Sequence, residues 1–228
     1  MSPRQQITEH ISYLETVDTP TLSNAIEDLK VRPRSEGFAP VSIRCLFPEF
    51  GRMCGYAVTA QVETVSEMSP LSKGAFIDLF TAVDRSPRPA VVVMQEIGGS
   101  PDLAAHCGEV MATIFTKFGA IGVVSDCGVR DLPEVRSMGM HYFARGTVAS
   151  HASFHIVRVG VPVQIGGFVV KPGDLLHGDE NGLITVPECD MGALARAVDD
   201  VRNRERKLMD FVRGGECTIE SLRDRFLE

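Results

Sequence analysis

The stretch GEVMATIFTKFGAIGVVSDCGVRD, residues 108–131, decides the fold. Its first half has helical spacing and ends at Gly119, and its second half contains the apolar run AIGVV, which is typical of a buried strand. Because a helix between two strands returns the chain to the same edge of a sheet, Glu109 and the pair Arg130–Asp131 are predicted to meet in one crevice at the carboxyl ends of the strands. A solvated surface turn before a helix with an acidic first turn also explains the Arg-Asp pair.

The segments around this stretch continue the alternation of strands and helices. An apolar run precedes it at 89–98, a short helix follows at 132–139, and a further strand follows at 140–146. This βαβαβ succession predicts an α/β fold in which a mixed or parallel β-sheet is covered by helices.

The outer segments complete the predicted organisation. Their patterns predict a helix at 18–30 capped by Thr19, a strand at 51–65, a helix at 74–85, short strands at 161–170 and 173–187, and charged helices at 189–215 and 218–228. We expect a single domain over residues 1–228. Its core lies at about 19–190, and a C-terminal helical arm at about 191–228 packs on the body or on a neighbouring subunit.

Composition and charge exclude several classes of protein. The net charge of −7 argues against nucleic-acid binding, which needs a basic surface. No apolar stretch approaches the roughly 18 residues of a membrane span, and the N-terminus lacks the apolar core of a signal peptide. The six cysteines form no Cys-x-x-Cys pair, which favours free thiols in a reducing compartment. We therefore expect a cytoplasmic protein that binds neither nucleic acid nor membrane.

The helix start and the Arg-Asp pair supply groups that suit a small anionic ligand. Amides that point out of the helix N-terminus would hold a carboxylate; they belong to Gly108, Glu109, Val110 and Met111. Arg130 offers a guanidinium fork to the same anion or to a keto oxygen. Asp131 offers a hard oxygen ligand, and Glu109 is a second acidic group nearby. So sparse a set of hard ligands favours Mg²⁺ or Mn²⁺ with several waters.

The same residues carry a resemblance to a known family. Residues 108–131 resemble the acidic-x20-Arg-Asp signature of the RraA-like family, TPTLSNAIEDL resembles its first helix, GYAVTAQ its G-x-A-V-T strand, and residues 161–187 its P-V-x-x-G-G segment. The resemblance covers about residues 19–215. That family includes metal-dependent 4-hydroxy-4-methyl-2-oxoglutarate aldolases and proteins named as regulators of ribonuclease E activity. It implies the RraA-like layered fold and a homotrimer or homohexamer.

The resemblance also implies roles for the site residues. Asp131 would support the divalent metal, Arg130 would bind the keto acid and stabilise enolate charge, and the amides at 108–111 would hold the pyruvate carboxylate. Glu109 stands where the aldolases have Asp and would position a water on the metal. The implied activity is that of a lyase that cleaves or decarboxylates a pyruvate-containing α-keto acid through a metal-stabilised enolate.

One departure from the family pattern bears on this activity. Asn24 stands where the aldolases have a Glu in a T-V-H-E-A context that reaches a neighbouring subunit's site, and an amide cannot be a general base. This favours decarboxylation or another enolate reaction over aldol cleavage, although Glu27 lies one turn later. The alternative function is that of a non-catalytic regulator that binds a protein partner such as a ribonuclease. Retention of Arg130, Asp131 and Glu109 favours the enzyme, whereas Asn24 favours the regulator.

Other polar residues have structural explanations beside functional ones. His151 and His155 in HASFH have the spacing of a metal chelate on a helix, although structural histidines are commoner. Arg145 follows a strand and faces either the cavity or solvent. Cys127 lies beside the site, where Arg130 is the one evident basic partner for a thiolate. A polar hairpin tip is predicted from His177, Asp179 and Glu180, with Asp179 implied by the resemblance to support the fold.

Overall fold

The computed structural model describes residues 3–65, 73–215 and 217–227. The helices are α1 Pro3–Leu14, α2 Thr19–Asp28, α3 Lys73–Arg85, α4 Glu109–Lys117, α5 Leu132–Ser137, α6 Met191–Arg213 and α7 Ile219–Leu227. The strands are β1 Arg44–Cys45, β2 Met53–Val65, β3 Ala90–Glu96, β4 Ala105–Cys107, β5 Ala120–Ser125, β6 Gly128–Val129, β7 His141–Ala144, β8 Gly146–Thr147, β9 Ser153–Val159, β10 Val163–Ile165, β11 Phe168–Val170, β12 Leu175–Asp179 and β13 Gly182–Val186.

The larger sheet is mixed. Seven of its eight strands run in the order β1-β7-β5-β3-β2-β12-β13, and the eighth, β9, pairs with the C-terminal half of β2. Strands β2, β3, β5 and β7 are parallel to one another, and the strands beside them are antiparallel. Strand β3 is buried on both faces, which is why its sequence AVVVMQE is largely a continuous apolar run. The predicted α/β fold with a mixed sheet and helices is confirmed.

Alternate residues of β3 face two different layers, because successive strand side chains point to opposite sides of a sheet. Val92 packs in one cluster with Leu79 of α3 and Phe115 of α4. Val91 packs in another cluster with Ile165 of the β10–β11 hairpin. Each fully buried side chain of this size contributes about 1.5–3 kcal/mol. The two layers therefore hold the central strands in a fixed position.

A third apolar cluster joins the two ends of the chain. Leu22 and Ile26 of α2 pack with Leu194 and Val198 of α6 and with Ile184 of β13. Helix α6 therefore packs on the body of its own chain. The sequence had predicted packing of the C-terminal arm either on the body or on a neighbouring subunit. None of the helices in the described ranges is long and apolar enough to cross a membrane.

Several local predictions are wrong. Asp18, rather than Thr19, caps α2, and its Oδ1 accepts a hydrogen bond from the Thr21 amide at 2.9 Å. His177 lies buried in β12 instead of at a polar tip, with its Nδ1 3.0 Å from the Thr19 hydroxyl. His155 lies on strand β9, so His151 and His155 do not share a helix. Helix α1 was not predicted.

Asp179 supports the fold, as the resemblance implies. It is buried at the end of β12. Its Oδ2 accepts a hydrogen bond from the Thr19 amide at 2.8 Å, and its Oδ1 accepts one from the Asn181 amide at 2.8 Å. One carboxylate therefore fixes both the start of α2 and the turn before β13.

Candidate active site

A second, three-stranded parallel sheet positions the candidate site. Its order is β4-β6-β8, with Cys107 opposite Val129 and Val129 opposite Thr147. Beyond the strands, the Arg130 amide donates to Cys107 O at 3.0 Å. The carboxyl ends of these strands lead to α4, to the Arg130–Asp131 pair and to the loop that follows β8. The sequence predicted the Arg-Asp pair at the carboxyl end of the strand that follows α4. In the structure the short strand β6 lies between β5 and the pair, so the pair lies at the edge of this small sheet.

Asp131 joins the two parts of the site. Its Oδ2 accepts a hydrogen bond from the Glu109 amide at 2.9 Å and lies 3.6 Å from Nε of Arg130. The backbone of Asp131 is left-handed, with φ 58° and ψ 45°, a conformation that costs a non-glycine residue roughly 1–2 kcal/mol and is frequent at functional sites. In this conformation the Asp131 carboxylate reaches the Glu109 amide at the start of α4.

Gly108 allows this close approach. A Cβ atom at position 108 would lie 2.4 Å from Oδ2 of Asp131 and 3.0 Å from Nε of Arg130. Real Cβ atoms do not approach heavy atoms so closely, so a side chain here would push the carboxylate away. The absence of a side chain at the N-cap of α4 is therefore a requirement of the site.

The predicted set of free helix-start amides needs a correction. The amide of Glu109 was predicted to bind a ligand, but it donates its hydrogen bond to Asp131 and is not available for that role. The amides of Val110 and Met111 belong to the first turn of α4 and have no intrahelical acceptor. An anion at this helix end would therefore find the amides of Val110 and Met111 free, and the predicted role of the Gly108 amide stays a prediction.

Two cavities share Arg130 and Asp131. The inner cavity has a volume of about 110 Å³ and is lined by Ala105, His106, Gly108, Val110, Met111, Arg130, Asp131, His151 and Phe154. The outer cavity has a volume of about 420 Å³ and is lined by Arg130, Asp131, Leu132, Pro133, Thr147, Val148 and Ala149. The Arg130 and Asp131 side chains are 36% and 35% exposed, so both are accessible to a small molecule. The structure thus brings together Gly108, Val110, Met111, Arg130 and Asp131.

Glu109 is placed differently from the other predicted site residues. Its amide takes part in the site, but its side chain is exposed and lines neither cavity. The predicted role of its carboxylate stays a prediction.

A buried network that the sequence did not reveal reaches the inner cavity through His106. His106 places Nε2 3.0 Å from Oε2 of Glu96 and Nδ1 3.0 Å from Oγ of Ser125. Burial acts to raise the pKa of Glu96, but hydrogen bonds from His106, Thr64 and Gly98 lower it to about 2. These side chains come from several strands with no common sequence spacing, so pattern analysis could not associate them.

Cys127 belongs to the same buried region. Its thiol donates to Ala104 O at 2.9 Å, and burial raises its pKa to about 11, so it is not a nucleophile near neutral pH. Potential ligand atoms of Glu96, His106 and Cys127 lie within 4.8 Å of one another. Glu96 already accepts four hydrogen bonds and Cys127 stays protonated. Glu96, His106 and Cys127 therefore form a hydrogen-bonded network of the core rather than a metal site.

Two other predicted residues lie outside both cavities. Nη2 of Arg145 lies 3.0 Å from Oδ1 of Asp102, and the two side chains form an ion pair that is open to solvent. Nδ2 of Asn24 donates to Oε1 of Glu205 at 3.3 Å, between α2 and α6. Within one chain, therefore, position 24 contacts the C-terminal helix.

Comparisons with known proteins agree with this fold. A family model described as RraA-like, Aldolase/RraA, matches residues 19–185. A protein of Halalkalibacterium halodurans is 24% identical over 94% of this chain and 95% of its own length, and its name proposes a 4-hydroxy-4-methyl-2-oxoglutarate aldolase. A Thermus thermophilus protein named 4-hydroxy-4-methyl-2-oxoglutarate aldolase is 34% identical over 40% of this chain and 56% of its own length.

A solved structure that resembles this chain is described as a member of a ribonuclease-inhibitor family rather than as an aldolase. Streptomyces coelicolor RraAS2, described as an unusual member of the RNase ES inhibitor RraA protein family, has a TM-score of 0.66. It is 25% identical, and the match covers 90% of this chain and 96% of that one. Since the family model spans most of the chain, the protein belongs to the RraA-like family.

Proposed function

We propose that the protein is a divalent-metal-dependent lyase that cleaves or decarboxylates a pyruvate-containing α-keto acid. The observation that carries the proposal is the inner cavity, where Arg130, Asp131 and the first turn of α4 meet around a volume of about 110 Å³. A guanidinium, a carboxylate and free helix-start amides suit a small keto acid and a hard cation. The aldolase names of two relatives support the same chemistry.

Asp131 is the residue that would hold the metal. Its carboxylate is accessible and uses Oδ2 for the Glu109 amide, and Oδ1 accepts no hydrogen bond from the described residues. One hard oxygen fits Mg²⁺ or Mn²⁺, which usually bind few carboxylates and keep several waters. Such an ion, when bound, stabilises negative charge that develops on the keto oxygen.

The other groups of the inner cavity bind and orient the pyruvate portion of the substrate. The amides of Val110 and Met111 donate to its carboxylate, and the Arg130 guanidinium donates to the carboxylate or to the keto oxygen. A guanidinium donates hydrogen bonds without giving up its proton, so Arg130 stabilises an enolate through its charge. The rest of the substrate lies in the outer cavity, which shares Arg130 and Asp131.

Pyruvate release tests this proposal. A coupled assay measures pyruvate from oxaloacetate and from 4-hydroxy-4-methyl-2-oxoglutarate with Mg²⁺ or Mn²⁺ and with EDTA. We expect metal-dependent release that Asp131→Asn lowers at least about 100-fold, because the amide keeps an oxygen for the Glu109 amide but loses the charge. Asp84→Asn, an exposed aspartate on α3, is the matched control and should match the wild type. Absence of release from both substrates in a protein that binds Mg²⁺ would refute the lyase.

The second candidate function is that of a regulator that binds a ribonuclease, which the description of the Streptomyces relative favours. A binding surface does not need the charge of Asp131. Under this alternative, the wild type releases no pyruvate, and a pull-down with a ribonuclease E domain recovers wild type and Asp131→Asn equally.

The assembly proposed with this function is a homotrimer or a homohexamer, built from one domain per chain. This part of the proposal comes from membership of the RraA-like family. Light scattering on the purified protein should give the mass of three or six chains, and a monomer would contradict it.

A further inference from the structure

The proposed reaction requires a group that moves a proton. Breaking the bond between C3 and C4 of the substrate leaves a pyruvate enolate whose C3 must gain a proton, and aldol cleavage also removes a proton from the 4-hydroxyl group. Asn24 cannot serve, because an amide neither accepts nor releases a proton near neutral pH. The candidates for this proton-transfer group are therefore the side chains that line the inner cavity.

Four side chains that line the inner cavity are titratable or charged: His106, Arg130, Asp131 and His151. The guanidinium of Arg130 does not release its proton. Asp131 accepts the Glu109 amide and is the proposed metal ligand. His106 is fully buried, with one ring nitrogen bonded to Glu96 and the other to Ser125. These engagements leave His151 as the group that is free to exchange a proton with a ligand.

The position and tautomer of His151 suit this role. Its Nδ1 is hydrogen-bonded to the carbonyl oxygen of Ala152. Because a carbonyl only accepts, Nδ1 carries the hydrogen and Nε2 of the neutral ring carries the lone pair. Nε2 has no hydrogen-bond partner among the described residues. The loop is held in place, since the Ala105 amide donates to Ser150 O at 2.9 Å and the Ala152 amide donates to Ser150 Oγ at 3.0 Å.

We infer that His151 is the acid–base residue of this site, an inference that rests on the proposed lyase function. In aldol cleavage, Nε2 accepts the proton of the 4-hydroxyl group while the C3–C4 bond breaks. The electron pair of that bond passes to the enolate, and C4 leaves as a carbonyl carbon. The imidazolium of His151 then gives the same proton to C3, so pyruvate forms and the ring is neutral again.

The decarboxylation of oxaloacetate uses the second half of this cycle. Carbon dioxide leaves, the electron pair of its bond passes to the enolate, and protonated His151 supplies the proton at C3. Water then returns a proton to the ring. One residue therefore serves both reactions, and aldol cleavage does not depend on a carboxylate at position 24.

Hydrogen exchange at the methyl group of pyruvate tests this inference. Pyruvate is incubated in D₂O with the Mg²⁺-loaded protein, and loss of the methyl signal is followed by NMR. We expect the wild type to catalyse exchange and His151→Gln to lose it by at least about 100-fold, the usual contribution of a general acid–base group. Pyruvate affinity by calorimetry should change less than about threefold. His10→Gln, an exposed histidine on α1, is the matched control.

Chemical rescue separates proton transfer from a structural role. Added imidazole should restore exchange in His151→Ala, whereas a merely structural histidine would not respond. Exchange at the wild-type rate in His151→Gln, with exchange lost in Asp131→Asn, would overturn the role of His151 and leave the lyase intact. A wild-type protein that neither exchanges the methyl hydrogens nor releases pyruvate would overturn both.

Discussion

Gly108 lies where the backbone of α4 meets the carboxylate of Asp131. In Gly108→Ala, the new Cβ would lie 2.4 Å from Oδ2 of Asp131, so the carboxylate must move off the Glu109 amide. We expect Mg²⁺ affinity, measured by calorimetry, to fall at least about tenfold, an amount that corresponds to the loss of one charge-assisted hydrogen bond. The fold should persist, because the φ of −142° at position 108 suits any residue.

Gly146 in β8 provides the control for this substitution. A Cβ at position 146 meets no atom within 4 Å, and the residue lies on the same small sheet. Gly146→Ala should therefore bind Mg²⁺ as the wild type does. Equal affinity in both variants would mean that the position of the Asp131 carboxylate does not govern metal binding.

Glu96 gives the fold a specific dependence on pH. Burial acts to raise its pKa, but hydrogen bonds lower it from the ordinary value of 4.5 to about 2. A carboxyl group whose pKa is lower in the folded chain stabilises the fold above its unfolded pKa, and it loses that stabilisation as the pH falls through the folded pKa. Glu96→Gln should therefore lower the free energy of unfolding by about 1–3 kcal/mol at pH 7.

This difference between Glu96→Gln and wild type should shrink as the pH falls from about 4.5 toward 2, because the wild-type side chain then becomes neutral as well. Urea unfolding at a series of pH values measures it. Glu63→Gln, an exposed residue of β2, should show no such pH-dependent difference. A constant difference at all pH values would mean that the charge of Glu96 is not what matters.

The packing of α6 on α2 can be tested at Leu194, which is fully buried between these helices. Leu194→Ala should lower the free energy of unfolding by about 2–5 kcal/mol, through lost apolar burial and the cavity left behind. Val212→Ala, in the half-exposed last part of the same helix, should change it by less than about 0.5 kcal/mol. Equal small effects in chemical denaturation would mean that the C-terminal arm does not pack on the body of its own chain.

Long periodic elements could be predicted from the sequence, whereas very short ones could not. The helix α4 and the strands β3 and β5 are long enough to show their spacing. Strands β6 and β8 have two residues each, so no alternation is visible, and their sheet depends on register with β4. The position of the Arg-Asp pair on a second sheet was missed for this reason.

For the molecule as a whole, the spacing of a single segment predicted the centre of the site but not its walls. Gly108 and the Arg130–Asp131 pair come from residues 108–131, whose helix-strand geometry brings them together. His151 and Phe154 reach the same cavity from a loop and strand that follow β8, and only the folded sheets place them there.

The cap at Asp18 was missed because Asp18 and Thr19 both suit an N-cap.

Asp131, Arg130 and the first turn of α4 form the proposed metal-dependent site for a pyruvate enolate. Oxalate resembles that enolate in its planar shape and charge, so its binding tests this proposal most directly. Calorimetry should show oxalate binding with Mg²⁺ present, at least about tenfold weaker binding with EDTA, and a similar loss in Asp131→Asn. Oxalate that binds equally well with and without Mg²⁺, or that binds Asp131→Asn as tightly as the wild type, would contradict the account.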